Sequence, residues 1–180
     1  MQIELGDGFQ IRPLDENDIA ALVKYADNPR VAEQLEDRFP HPYTVGDARR
    51  WLAQLKAQDP LTNFAIASPD EMIGGIGLDL REDVYFRTAE IGYWLGEPFW
   101  GQGIATSAVR AMTGWAFENL NLVRLEARVF ETNPASDRVL EKAGFVCEGR
   151  LRQSVTKEGK TMDQTIYAVL EPRHNSEVTP

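Results

Sequence analysis

Apolar and polar positions along the chain switch between two periods, and the switches outline its elements. FQIRPL (9–14) alternates and predicts a strand. In DENDIAALVKYAD, Ile19, Leu22, Val23 and Ala26 fall at helical spacing, with Asp15 placed to cap and Asp18 in the first turn. Asn28-Pro29 breaks this helix and starts a short one, PRVAEQLED. RFPHPYT (38–44) carries two prolines within three residues and predicts a loop. Thr44 and Asp47 then open TVGDARRWLAQLKAQ, with Ala48, Trp51, Leu52 and Leu55 on one face. LTNFAIAS and EMIGGIGLDL flank a Pro69-Asp70 turn and predict an antiparallel hairpin. RTAEIGYWL (87–95) predicts a strand. A glycine-rich segment leads from it into a helix, Ile104 to Asn119, striped by Ala105, Ala108, Met112, Trp115 and Ala116. VRLEARVF (123–130) alternates strictly. NPASDRVLEKAGF predicts a helix with Pro134 in its first turn and Gly144 as its stop. Two strands joined at Glu158-Gly159 complete the pattern, and residues 171–180 are expected to fray. The sum is α+β, with one strand–helix–strand crossover that should be right-handed and make its two strands parallel.

Length and composition fit a single domain over 1–180 that buries its core without staples. No apolar run approaches the ~18 residues that cross a bilayer, and no basic-then-apolar leader opens the sequence. One cysteine, Cys147, excludes an internal disulfide and a multi-cysteine metal site. Together these point to the cytoplasm, with no membrane and no metal. The balance of 19 basic against 28 acidic residues, −9 net, argues against direct contact with nucleic acid. It suits a cationic acceptor such as an amine.

GEPFWGQGIATSAV (96–109) bares its backbone just before a helix begins. A helix N-terminus leaves its first N–H groups unpaired, and aligned peptide dipoles add roughly half a positive charge there. Gly101 and Gly103 remove side chains that would keep a ligand from those groups. Strand, glycine turn and helix therefore make a cradle for a pyrophosphate, with Arg110, Arg138 and Lys142 as candidate cationic helpers. The turn lacks the third small residue of a dinucleotide fingerprint and the Gly-Lys-Ser/Thr ending of a triphosphate loop.

Four stretches in order carry a resemblance across nearly the whole chain: IRPL with DENDIAAL, FPHPYTVGDARRWL, AEIGYWLGEPFWGQGIATSAV, and NPASDRVLEKAGFVCEGRLRQ. The sequence resembles the GCN5-related N-acetyltransferase (GNAT) superfamily, and most of all its RimJ/RimL branch, which acetylates N-termini of ribosomal proteins. The resemblance implies a mixed, mostly antiparallel sheet with helices on both faces. Its two central parallel strands, here 88–95 and 123–130, splay apart around acetyl-CoA. The pyrophosphate then rests on Gly101, Gln102, Gly103, Ile104, Ala105 and Thr106. Trp100 stands where the superfamily pattern has Arg or Gln. Asn133 matches an asparagine that contacts the pantetheine or sulfur end, and it is also a good helix cap.

The implied reaction is direct attack of an amine on acetyl-CoA in a ternary complex. The expected acceptor is a protein N-terminal α-amine, with a small amine (polyamine, aminoglycoside or amino-acid derivative) as the alternative. An acyl-CoA-binding sensor or pseudoenzyme is a further alternative, and a homodimer is compatible with the resemblance. Backbone N–H groups around Tyr93, Trp94 and Leu95 are expected to hold the oxyanion, with Gly92 marking a bulge. Glu90 is the candidate base. Leu140 occupies the position where many members place a tyrosine acid, which leaves Ser136 as the candidate donor to the thiolate and Tyr167 as a weaker one. Ser154 and Val155 stand where some relatives carry an acidic base, so deprotonation by water, or an amine of low pKa, stays open. Cys147 is expected in the core rather than as a nucleophile. With only His41 and His174, no Ser–His–Asp set is visible. Phe39, His41 and Tyr43 are expected to wall the acceptor end. Glu33, Glu36, Asp37, Glu82 and Asp83 could attract a cation.

Overall fold

The computed structural model describes residues 1–172. The end expected to fray lies outside them from residue 173 on, as does His174. The strands are β1 (Ile3–Gly6), β2 (Phe9–Arg12), β3 (Asn63–Ala67), β4 (Met72–Leu80), β5 (Thr88–Leu95), β6 (Arg124–Phe130), β7 (Val146–Lys157) and β8 (Lys160–Leu170). The helices are α1 (Ile19–Ala26), α2 (Pro29–Ala32), α3 (Val45–Lys56), α4 (Ile104–Asn119) and α5 (Pro134–Ala143). One sheet runs β1-β2-β3-β4-β5-β6-β8-β7. Every neighbouring pair is antiparallel except β5 with β6, which α4 joins as a crossover.

Local chemistry sets most boundaries. Asp15 accepts the Asn17 N–H (2.7 Å) and Asp18 accepts that of Asp15 (3.0 Å), a reciprocal cap for a single 3-10 turn before α1. Asp18 is 5 % exposed, and Arg12 grips both its oxygens at 2.7 Å. Thr44 and Asp47 form the same box on α3. Pro13 ends β2 two residues before the expected strand does. β1 was not foreseen from the pattern. Its turn runs through Gly6, Asp7 and Gly8, all at positive φ, and that Gly-Asp-Gly was the available signal.

The core lies between the sheet and its helices. Ile66, Ile76, Leu78, Ile91 and Leu125 from the strands pack with Val109, Met112 and Ala116 of α4, and Leu22 and Ala26 of α1 join the same cluster. The register of β4 on β5 runs without a shift from Leu80↔Ala89 to Gly74↔Leu95. Gly92 therefore sits in regular strand and not in the expected bulge. Cys147 is exposed on the edge strand β7, not in the core.

Candidate active site

The parallel strands part where two antiparallel neighbours pull them. Their last rung is Glu90↔Glu126. Beyond it β5 stays on β4 as far as Leu95, and β6 stays on β8 as far as Phe130↔Gln164. Main-chain polarity on β5 then alternates across the opening. The Arg81 N–H donates to Thr88 O (3.2 Å) and the Gly96 N–H to Ile73 O (2.8 Å). Even-numbered residues of β5 thus bond β4, and the N–H groups of Tyr93 and Leu95 turn to the side that β6 has left. The Trp94 N–H faces β4, so only its side chain serves the cleft.

A cavity of about 1110 Å³ fills this opening and reaches the N-terminus of α4. Gly101 (φ 75°) and Gly103 (φ 83°) turn left-handed there, and a Cβ at either would meet open space. No side chain caps α4 and no acid stands in its first turn, whereas Asp47 and Asp137 occupy the first turns of α3 and α5. The first N–H groups, around Ile104, Ala105 and Thr106, are left for an anion. Gln102 turns aside, its Nε2 bonding Pro98 O (2.9 Å). Trp100 braces the turn: its Nε1 donates to Leu95 O (2.8 Å), and Arg30 lies 5.4 Å over its ring. Of the expected cationic helpers, Arg138 and Lys142 line the cavity, while Arg110 bonds the Lys142 carbonyl instead.

At the fork, Glu90 faces Arg81 (3.5 Å) and Arg128 (3.7 Å). Burial pushes its carboxyl above the ordinary range, against the pull of the two guanidiniums. Tyr93 reaches α5, where its hydroxyl lies 2.6 Å from Ser136 Oγ. Asn133 caps α5 by accepting the Ser136 N–H (3.1 Å), and it also lines the cavity. Leu140 is fully buried. Tyr167 is buried on β8 and does not line the cavity, which removes it as an acid.

The segment 33–40 roofs the opening. Its ties are Lys157 Nζ to Leu35 O (2.7 Å) and Asp37 (3.0 Å), Arg38 to Asp79 (2.6 Å), and Gln34 with Thr132 (3.5 Å). Phe39 packs on Trp94 (5.4 Å between ring centroids) and on Tyr43 (5.1 Å). His41 lies elsewhere, in a second pocket of about 440 Å³ with Asp37, its Nδ1 3.4 Å from Asp27. It does not line the main cavity as Phe39 and Tyr43 do, although Phe39 borders both pockets, so it stands apart from the expected acceptor wall. Glu33 and Glu36 line the main cavity. Glu82 and Asp83 sit outside it, in the β4–β5 connection.

The sequence profile of the acetyltransferase (GNAT) domain matches residues 9–146. The chain belongs to this family. It is an N-acetyltransferase by family, and the GNAT fold accounts for the splayed pair. A Bacillus subtilis relative, named probable N-acetyltransferase YjcK, is 36% identical over 174 residues, covering 93% of this chain and 96% of its own. The Escherichia coli ribosomal-protein-serine acetyltransferase is 36% identical over 105 residues, 58% of each chain. Among solved structures, RimL, the ribosomal L7/L12 alpha-N-protein acetyltransferase in complex with coenzyme A, superposes with TM-score 0.82 at 25% identity, over 94% of this chain and 98% of its own.

Several residues of this GNAT site escaped sequence reasoning. Arg81, just past the end of β4, and Arg128 on β6 come to Glu90 from outside its own strand. Trp51 and Gln54 of α3, Asn63 of β3, and Gly75, Gly77 and Asp79 of β4 extend the cavity sideways under the roof. The glycine-rich MIGGIG was the one available signal, and it read as plain strand. Among the described residues no three His, Cys, Asp or Glu gather as metal ligands would, and no helix is long and apolar enough to cross a membrane.

Proposed function

We propose that this GNAT enzyme transfers the acetyl group of acetyl-CoA to an amine by direct attack in a ternary complex, and that the amine is a protein N-terminal α-amine. The observation carrying the proposal is continuity: one cavity joins an uncapped, acid-free helix N-terminus to a strand fork that holds a carboxylate. Bound there, acetyl-CoA would supply the activated acyl group and its thiolate leaving group.

In this reading the N–H groups of residues 104–106, with Arg138 and Lys142 beside them, hold the pyrophosphate. Asn133 faces the pantetheine arm. The Tyr93 and Leu95 N–H groups point to where the carbonyl oxygen gains charge, and they are fixed in advance because β4 holds their strand. Glu90, directly or through a water, takes the amine proton. Its raised affinity for a proton favours receiving one. Ser136 donates to the departing sulfur. Phe39, Tyr43 and Trp94 wall the acceptor. The protein acceptor is supported by the relatives that act on ribosomal proteins.

The test is a peptide library with varied N-termini incubated with acetyl-CoA and read by mass spectrometry. A gain of one acetyl group at the α-amine is expected. Modification of small amines alone would transfer the proposal to that acceptor class.

A further inference from the structure

Three residues on neighbouring strands stand in one row across the sheet. Asn63 on β3 pairs with Gly77 on β4, which pairs with Gly92 on β5. Gly92 lies two residues past the last rung between β5 and β6. The row therefore starts at the opened cleft and ends two strand spacings away, roughly 10 Å. Two consecutive positions carry no side chain: Gly92 is exposed, Gly77 is buried beneath the Asn63 side chain, and all three residues line the cavity. Trp94 stands in the row on one side; Asp79 and Glu90 stand in the row on the other.

The Asn63 amide is not free to turn. Its Nδ2 donates to Gln58 Oε1 (3.3 Å), which also accepts the Thr62 N–H (3.3 Å). Gln58 is fixed in turn: its Nε2 donates to Thr62 Oγ1 (2.8 Å), whose own proton goes to the Leu78 carbonyl (2.8 Å). Reversing the Asn63 amide would set oxygen against oxygen. Its Oδ1 therefore points over Gly77, where an added Cβ would come within 1.8 Å of it. Among the described residues Asn63 acts through its side chain only as a donor, which leaves Oδ1 without a partner.

This oxygen is a preset acceptor about one strand spacing, ~5 Å, from Gly92. The carboxylates beside it have other roles: Asp79 pairs with Arg38, and Glu90, facing Arg81 and Arg128, is the base of the reading above. A second positive charge on the substrate finds no free counter-ion here, whereas a neutral donor finds an open oxygen.

We infer that Asn63 determines acceptor specificity by receiving a neutral hydrogen-bond donor carried about three bonds from the reacting nitrogen. The inference rests on the acetyl-transfer reading above. The hydrogen bond itself spans ~3 Å of the separation, which places the donor close to the amine. At a protein N-terminus two groups stand at that distance: a β-hydroxyl on the first residue and the main-chain N–H of the second.

The experiment compares kcat/KM for three peptides: one beginning with serine, the same with alanine first, and the serine peptide N-methylated at its second residue. Wild type should lose about tenfold on one of the two changes, and which one identifies the donor. Asn63→Ala should erase that difference while leaving affinity for coenzyme A unchanged. A wild type indifferent to both changes, or an Asn63→Ala variant that discriminates as well as wild type, overturns the assignment. Transfer to small amines but to none of the peptides would defeat the N-terminal reading alone. The comparison then passes to a 1,2-amino alcohol against an alkylamine of equal length, and equal kcat/KM there overturns the Asn63 assignment. Absence of transfer to any amine would overturn both.

Discussion

The Tyr93 hydroxyl stands 2.6 Å from Ser136 Oγ and joins β5 to the first turn of α5 across the opened cleft. Burial pushes the Tyr93 phenol up to about 12, partly offset by its bond to Ser136. At neutral pH the phenol keeps its proton; either hydroxyl can donate in this pair, and when the phenol does so the serine proton is left for a group in the cleft. Ser136→Ala should lower kcat by about 10–100-fold with little change in coenzyme affinity. Tyr93→Phe should do less, and neither should shift the pH optimum. Steady-state kinetics across pH decide it, and an unaltered kcat for Ser136→Ala would remove the serine from the mechanism.

Gly103 tests the helix-end cradle. Its φ of 83° penalises any side chain, but the space around it is open. Gly103→Ala should weaken coenzyme binding by no more than about tenfold, reflecting backbone strain of ~1 kcal/mol. Gly103→Glu adds a like charge beside the pyrophosphate and should cost a hundredfold or more, on the order of 3 kcal/mol. Titration calorimetry with coenzyme A measures both. Near-normal affinity for the glutamate variant would contradict the cradle.

Glu90 carries a pH signature. Burial raises its carboxyl, so turnover should climb with pH above the ordinary carboxylate range as it ionises. Glu90→Gln should abolish that limb and lower kcat by roughly 10²–10⁴. Stability follows with the opposite sign. Below the carboxylate range both folded and unfolded chains hold the proton and Glu90 costs nothing. As pH rises through that range the unfolded chain releases its proton first, and the folded state loses stability until Glu90 itself ionises. The glutamine variant lacks this loss, so its melting temperature relative to wild type should rise over that interval. A wild-type pH–rate profile in the variant would exclude Glu90 as the base.

Cys147 lies on β7, exposed and outside the cavity. Cys147→Ala should leave kcat and KM unchanged, and alkylation of the wild type should leave turnover intact. Complete loss in the alanine variant would indicate a covalent route.

Leu140, fully buried on α5, fills with carbon the place where many superfamily members have a tyrosine. Leu140→Ala should destabilise the fold by about 2–5 kcal/mol, read as a fall in denaturation midpoint. A change below ~0.5 kcal/mol would mean that the side chain is not packed as described.

Most elements were legible because their signals are local. Asp15, Thr44 and Asn133 mark helix starts, Gly144 marks a stop, and the alternation of 123–130 marks a strand whichever strand it meets. The glycine turn was legible for the same reason, since strand, turn and helix follow one another in the chain. β1 went unread because it has only four residues, Ile3 and Leu5 half-buried and Glu4 and Gly6 exposed, too short an alternation to stand out. Cys147 was misplaced because an apolar neighbourhood in sequence does not say which face of an edge strand is covered. His41 was misplaced because prolines fix a loop's shape without revealing which way a given side chain leaves it.

By itself, then, the sequence determined the order of elements from β2 onward, the parallel crossover and a glycine turn that bares a helix N-terminus, all products of short-range periodicity, capping and backbone freedom. Tertiary structure alone decided where β5 and β6 part, which carboxylate meets which arginine, and that Asn63, Gly77 and Gly92 stand in one row. Those relations depend on strand register, and register is set by pairing between segments up to tens of residues apart, which no local pattern encodes.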